Sequence, residues 1–121
     1  LTDKIKIGNK GEELAARFLS NSGYRIIERN WRFKRAEIDI VCMDGETMVF
    51  IEVKTRSSDY YGEPEEFVND KKEKLLFDAA NAYMELSQHE WAIRFDIIAI
   101  LLHGDKSTVT KHIKDAFFSG I

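Results

Sequence analysis

Two short apolar segments, Glu37 to Met43 and Met48 to Thr55, are separated by Asp44-Gly45, and this pairing constrains the fold more than any other feature of the chain. Asp-Gly readily adopts the positive φ values of a tight turn, so the flanking segments become antiparallel neighbours. With the turn centred on residues 44–46, Asp39 faces residue 51 or 52. Side chains alternate between faces along a strand. Met48, Phe50, Glu52 and Lys54 therefore share one face, with Val49, Ile51, Val53 and Thr55 on the other. By the same alternation Glu37 and Asp39 share a face, opposite Ile38 and Ile40. The acids and the lysine interrupt two strands otherwise made of good core residues.

The flanking sequence predicts alternating helices and strands. A first helix runs from about Asn9 to Ser22, with Leu14, Ala15, Phe18 and Leu19 on one stripe and Ser22-Gly23 as its stop. Glu12 and Glu13 then fall near the helix N-terminus, where the dipole favours anions. Tyr24 to Phe33 reads as a strand, with a turn at Lys34-Arg35, and Ser57 to Gly62 as a loop. Pro64 suits the first position of a second helix that ends near Ser87, its apolar period carried by Phe67, Val68, Leu75, Leu76, Ala79, Ala80, Tyr83 and Met84. The nearly unbroken apolar run from Arg94 to Leu102 predicts a strand covered on both faces. Gly104-Asp105 turns into a weaker strand around Val109 to Ile113, and a short helix is expected over Ala116 to Phe118. The order is αβββαββ, an α/β fold with a mixed sheet flanked by helices, in a single domain over residues 1–121.

Composition narrows the function. The net charge of −3 argues against a protein that coats nucleic acid by bulk electrostatics, so any such binding has to be local. One local basic stretch exists: Arg25, Arg29, Arg32, Lys34 and Arg35 are accompanied only by the acid Glu28, with Trp31 and Phe33 interleaved. It reads either as a phosphate-plus-stacking surface or as a solvated hairpin whose aromatics turn into the core. The acidic run Asp59, Glu63, Glu65 and Glu66 needs no more than a solvated loop and a helix start. The single Cys42 lies in an apolar run and reads as a core filler. No apolar stretch is long enough to span a membrane and no signal peptide is apparent, so a cytoplasmic location is expected.

Two carboxylates side by side in an apolar sheet repel one another unless a cation neutralises them or one keeps its proton. Lys54 supplies one charge. A divalent ion would supply more, and hard oxygen donors without a Cys or His cluster suit Mg²⁺ or Mn²⁺. His89, His103 and His112 lack zinc-ligand spacing and read as surface or satisfied core. A carboxylate-bound metal beside a lysine fits phosphodiester hydrolysis. The plainer alternative is a same-face Glu52–Lys54 ion pair on a half-exposed sheet. Arg94 and Asp96 read as an ion pair supporting the sheet.

Four blocks in order, GNKGEELAA at 8–16, AEIDIV at 36–41, VFIEVKTR at 49–56 and RFDII at 94–98, resemble the YraN family of bacterial proteins over nearly the whole chain. That family is similar to archaeal Holliday-junction resolvases and to the PD-(D/E)xK nucleases. The resemblance implies a restriction-endonuclease-like fold in which Asp39 and Glu52 hold Mg²⁺ (or Mn²⁺). It implies that Lys54 orients or activates the attacking water, and that Glu12 completes the catalytic set. Arg56 and Lys72 stand where the family has basic residues and are assigned to phosphate contacts, a solvent-facing helix position being the alternative for Lys72. Ala36 stands where the family usually has glycine, and Ile38 where the superfamily has its proline. The implied partner is nucleic acid, DNA in the first place, with a homodimer by analogy to the resolvases. A nucleic-acid-binding or adaptor module without turnover is the competing reading, and a protein-interaction domain a third.

Overall fold

The computed structural model describes residues 3–57, 70–103 and 106–116. Helix α1 (Asp3–Asn21) precedes strands β1 (Arg25–Phe33), β2 (Ala36–Asp44) and β3 (Thr47–Ser57). Helix α2 (Asp70–Ser87) and strands β4 (Ile93–His103) and β5 (Lys106–Ile113) follow. The strands form one sheet in the order β1-β2-β3-β4-β5, antiparallel except between β3 and β4. A parallel pair needs a long crossover, and the chain between β3 and β4 contains α2. The predicted order αβββαββ holds.

The β2–β3 hairpin closes as its Asp-Gly dictates. Asp44 pairs with Thr47 and Gly45 takes φ 62°, so Ile40 falls opposite Ile51. Each face of the sheet carries one helix. On the first, Ala15, Ala16 and Leu19 of α1 pack over Ile40, Cys42, Val49, Ile51, Ile98 and Ile100. On the second, Leu76, Ala79, Ala80 and Tyr83 of α2 cover Ile38, Val41, Met48, Phe50, Phe95 and Ile97. Strand β4 is thus buried on both sides, which explains its apolar run. Cys42 is fully buried and its thiol is pushed up to about 12 by that burial, so it fills space.

Helix α1 starts well before the predicted Asn9. The Gly8-Asn9 pair resembles a helix boundary, but an interior glycine costs only about 1 kcal/mol and the longer helix absorbs it. Glu12 therefore sits in mid-helix, away from the N-terminal dipole. The predicted stop holds: Gly23 adopts φ 92°, and the Gly23 and Tyr24 amides donate to the carbonyls of Ser20 and Leu19 at 3.1 and 3.0 Å, a Schellman cap. Gly11 seats the helix. A Cβ there would overlap the Thr55 hydroxyl, so its absence lets α1 lie close on β3.

Trp31 and Phe33 stack at 6.1 Å with ring planes 6° apart, and Trp31 meets Tyr83 of α2 edge-on at 5.1 Å. The hairpin aromatics therefore turn into the core, leaving Arg25, Arg29, Arg32, Lys34 and Arg35 exposed. Ala36 is buried without a positive φ, so replacing glycine strains nothing there. The loop after Ser57, the acidic run and the Pro64 helix start lie outside the described residues, as do residues 117–118 of the expected last helix. Among the described residues, no helix is long and apolar enough to cross a membrane.

Candidate functional site

The sheet forks at Asp39. The β2–β3 ladder ends at Ile40 opposite Ile51, and the Asp39 carboxylate Oδ2 instead accepts a hydrogen bond from the Val53 amide at 2.8 Å. A side chain has taken the place of a backbone partner. The pleat slips at the same point: Ile38 packs beneath α2 while Ile40 packs beneath α1. The expectation that Ile38 and Ile40 share a face is therefore wrong. A one-residue irregularity at Asp39 swaps the faces before and after it. Across on β1, Asn30 lies between the pairs Arg29–Ile40 and Trp31–Ile38, with φ 54°. Asparagine tolerates that region better than most residues, which is why it can stand opposite the slip.

Four carboxylates gather around the fork. Oxygens of Glu12 from α1 and of Glu37 and Asp39 from β2 lie within 4.8 Å of one another. The Asn30 amide nitrogen, oriented to donate, reaches Glu12 Oε1 at 2.6 Å and Glu37 Oε1 at 3.3 Å. Glu52, from β3, is the fourth. It is buried, and its Oε1 receives the ammonium groups of Lys72 at 2.6 Å and Lys54 at 3.1 Å. The structure thus brings together Glu12, Asp39, Glu52, Lys54 and Lys72. Lys72 is half-buried and turned onto Glu52, so a purely solvent-facing position does not describe it. Arg56 donates to the Thr55 carbonyl at 2.8 Å and is half-buried, two residues beyond Lys54.

The proton affinities follow from this crowding. Burial and the negative charge of Glu52 raise the Asp39 carboxyl to about 8, with Glu12 and Glu37 adding to the rise and the Val53 amide opposing it. Burial and Glu37 likewise raise Glu12, against the pull of Arg29. Burial, with Lys72 alongside, lowers the Lys54 ammonium despite Glu52. For Lys72 burial works against the charge, yet hydrogen bonding to Glu52 carries its affinity above the ordinary range. On the carboxylate side Arg32 lies 2.8 Å from Glu37 and the Arg29 charge acts on Glu12, and neither offsets the rise at Asp39.

Glu37 and Asn30 received no role from the sequence. The E-x-D spacing put Glu37 beside Asp39 and was a usable signal. Asn30 was detectable as a poor strand former inside a β-branched and aromatic run. A separate polar cluster lies on the α1 face. Arg94 donates to both oxygens of fully buried Asp96 at 2.8 and 2.9 Å, and also to Asp44 and Tyr24. His112 Nε2 lies 2.8 Å from Asp96, and the Asp115 amide donates to it at 3.0 Å. Hydrogen bonds from His112, Arg94 and Asp115 hold the Asp96 carboxyl below its usual range against the opposing effect of burial. Arg94 and Asp96 support the sheet, as their pairing suggested.

Comparison with known proteins now bears on the four sequence blocks. The profile described as "Uncharacterised protein family UPF0102" matches residues 11–100. The chain belongs to the UPF0102 family. This is the YraN family that the blocks resemble. A UPF0102 protein of Chlorobaculum tepidum is 47% identical, the match covering 94% of this chain and 93% of the relative. Those of Christiangramia forsetii and Chlorobium chlorochromatii are 43% and 42% identical, covering 98% and 93% of this chain and 98% and 92% of theirs. The UPF0102 match begins at Gly11 and so takes in Glu12 and the other site residues.

Proposed function

We propose that this UPF0102 protein is a divalent-metal-dependent nuclease that hydrolyses phosphodiester bonds in DNA. The observation that carries this reading is the convergence of Glu12, Asp39, Glu52 and Lys54 at one fork in the sheet. Sequence resemblance to the PD-(D/E)xK nucleases supports the same assignment. The donor set fits Mg²⁺ or Mn²⁺: oxygens of Glu12, Glu37 and Asp39 lie close together, Glu52 is near enough for its charge to raise the proton affinity of Asp39, and neither Cys nor His is in the group. Asp39 and Glu52 would hold the ion, with Glu12 and Glu37 completing its shell directly or through water. When bound, the ion supplies Lewis-acid stabilisation of the phosphoryl oxygens and a more acidic water.

The chain's own residues have separate tasks. Lys54, anchored on Glu52, points a cation at the place where phosphorane charge develops and orients the attacking water. Asn30 holds Glu12 and Glu37 in position. Lys72 and Arg56 are the phosphate-facing cations. Hydrolysis adds the elements of water across one P–O bond, so the attacking oxygen remains on phosphorus and the leaving oxygen departs with a proton.

Purified protein incubated with linear, single-stranded and branched DNA tests the reading. Cleavage that requires Mg²⁺ or Mn²⁺ and disappears in Asp39→Asn, Glu52→Gln and Lys54→Met is expected. Absence of cleavage for all substrates at every metal concentration would overturn it. A second reading is favoured by one observation: two ammonium groups already neutralise Glu52. A DNA-binding module without turnover needs nothing more. Salt-dependent DNA binding unchanged in Asp39→Asn, without hydrolysis, would select it.

A further inference from the structure

We infer that Lys72 is a displaceable counter-ion of Glu52, occupying in the metal-free protein an oxygen that a divalent cation takes over. This rests on the metal-dependent reading above and adds to it how the site is held before the metal arrives. Both ammonium groups approach the same atom, Glu52 Oε1, Lys72 at 2.6 Å and Lys54 at 3.1 Å. A carboxylate oxygen has two lone-pair sites, so this one is fully engaged. Coordination through it requires one ammonium to withdraw.

The structure distinguishes the two lysines. Lys54 is on the same strand and face as Glu52, with a side chain only 12% exposed. Lys72 comes from the first turn of α2, its side chain is 35% exposed, and its flexible stem gives the ammonium a route to water. Water can take the place of Glu52 at the Lys72 ammonium more readily than at the Lys54 ammonium, which has less solvent within reach. Lys72 thus keeps a buried carboxylate compensated, where an unpaired charge would be expensive. It does so at the cost of metal affinity.

The test measures metal binding and lysine accessibility, and needs no turnover. Mg²⁺ and Mn²⁺ binding is followed by calorimetry in the wild type and in Lys72→Met, which keeps the stem and removes the charge. Binding about ten-fold tighter in the variant is expected, the equivalent of one charge-assisted hydrogen bond no longer broken. In parallel, acylation of lysines by an amine-reactive reagent is quantified by mass spectrometry with and without saturating Mg²⁺. Labelling at Lys72 should rise several-fold while Lys54 stays protected. Equal or weaker metal binding in Lys72→Met, or unchanged Lys72 labelling in a metal-saturated protein, overturns the displacement and leaves the nuclease reading standing. Failure of both proteins to bind either metal overturns the two together. Metal binding seen only in Lys72→Met supports the displacement in its strongest form.

Discussion

Gly11→Ala sets two effects of opposite sign against each other. In an exposed helix interior the change stabilises by about 1 kcal/mol, because glycine has more backbone freedom to lose on folding. Here the new Cβ would run into the Thr55 hydroxyl and lie 3.1 Å from its Cβ and 3.2 Å from its Cγ2. Thr55 is β-branched and stiff at χ1, and its Cβ, itself in close contact, cannot move without β3. The helix has to back away from the strand, and overpacking of that kind costs about 1–3 kcal/mol. With three atoms in the way the upper part of the range applies, leaving a net loss of about 1–2 kcal/mol. Urea denaturation of Gly11→Ala, Thr55→Gly and the double variant measures it. In the Thr55→Gly background the alanine should recover its helix-forming advantage, giving a coupling energy of about 2–3 kcal/mol. A Gly11→Ala single variant as stable as the wild type, with no coupling to Thr55, would refute the close-approach account.

Four further outcomes follow from the site and its support. Asp39 has a folded-state value of about 8, above the ~3.9 of an unfolded aspartate, so its protonated form stabilises the fold. That stability is complete below about pH 4 and is lost as pH rises to about 8. Metal-free denaturation curves should show this decline, and Asp39→Asn should flatten it. Arg94→Met leaves fully buried Asp96 without its bidentate partner and should cost about 3 kcal/mol, read as a lower urea midpoint. Since Asp96 is held below its usual range, the stability it contributes is present above about pH 4 and fades as pH falls further. A wild type as stable at pH 2 as at pH 5 would contradict that. Asn30→Asp adds a fifth carboxylate to the fork and should weaken the metal-free fold by about 1–3 kcal/mol, with recovery on adding Mg²⁺, measured by thermal melts.

The sequence reading succeeded where one local rule acted alone. Asp44-Gly45 specified the hairpin and its register, so Glu52 and Asp39 came within one residue of their true relation. Alternation placed Met48 and Phe50 on one face and Val49 and Ile51 on the other, as found. It failed where two strands interrupt each other's pleat. A slip at Asp39 is stabilised by its bond to Val53 and by Asn30 opposite, contacts 14 residues and one strand away, and no single-strand period carries that information. The early start of α1 was missed because Gly8-Asn9 has boundary chemistry that the longer helix overrides. Glu37 is legible from its E-x-D spacing with Asp39, but a single strand carries nothing that separates it from a solvated surface acid.

The two ends of the β2–β3 pair are secured very differently. Near the hairpin, Arg94 and Asp96 of β4 tie together Tyr24, Asp44, His112 and the Asp115 amide, contributions from widely separated parts of the chain. At the other end, β2 leaves β3 and a single carboxylate bridges them. Amide hydrogen exchange should record this as a gradient, with Val41 to Val49 exchanging only on global unfolding and Val53 through much smaller openings. Opening at the fork would break the Asp39–Val53 bond and leave the hairpin ladder from Ile40–Ile51 to Asp44–Thr47 paired. In this protein, the charges are gathered where β2 and β3 part and a side chain takes over from the backbone ladder.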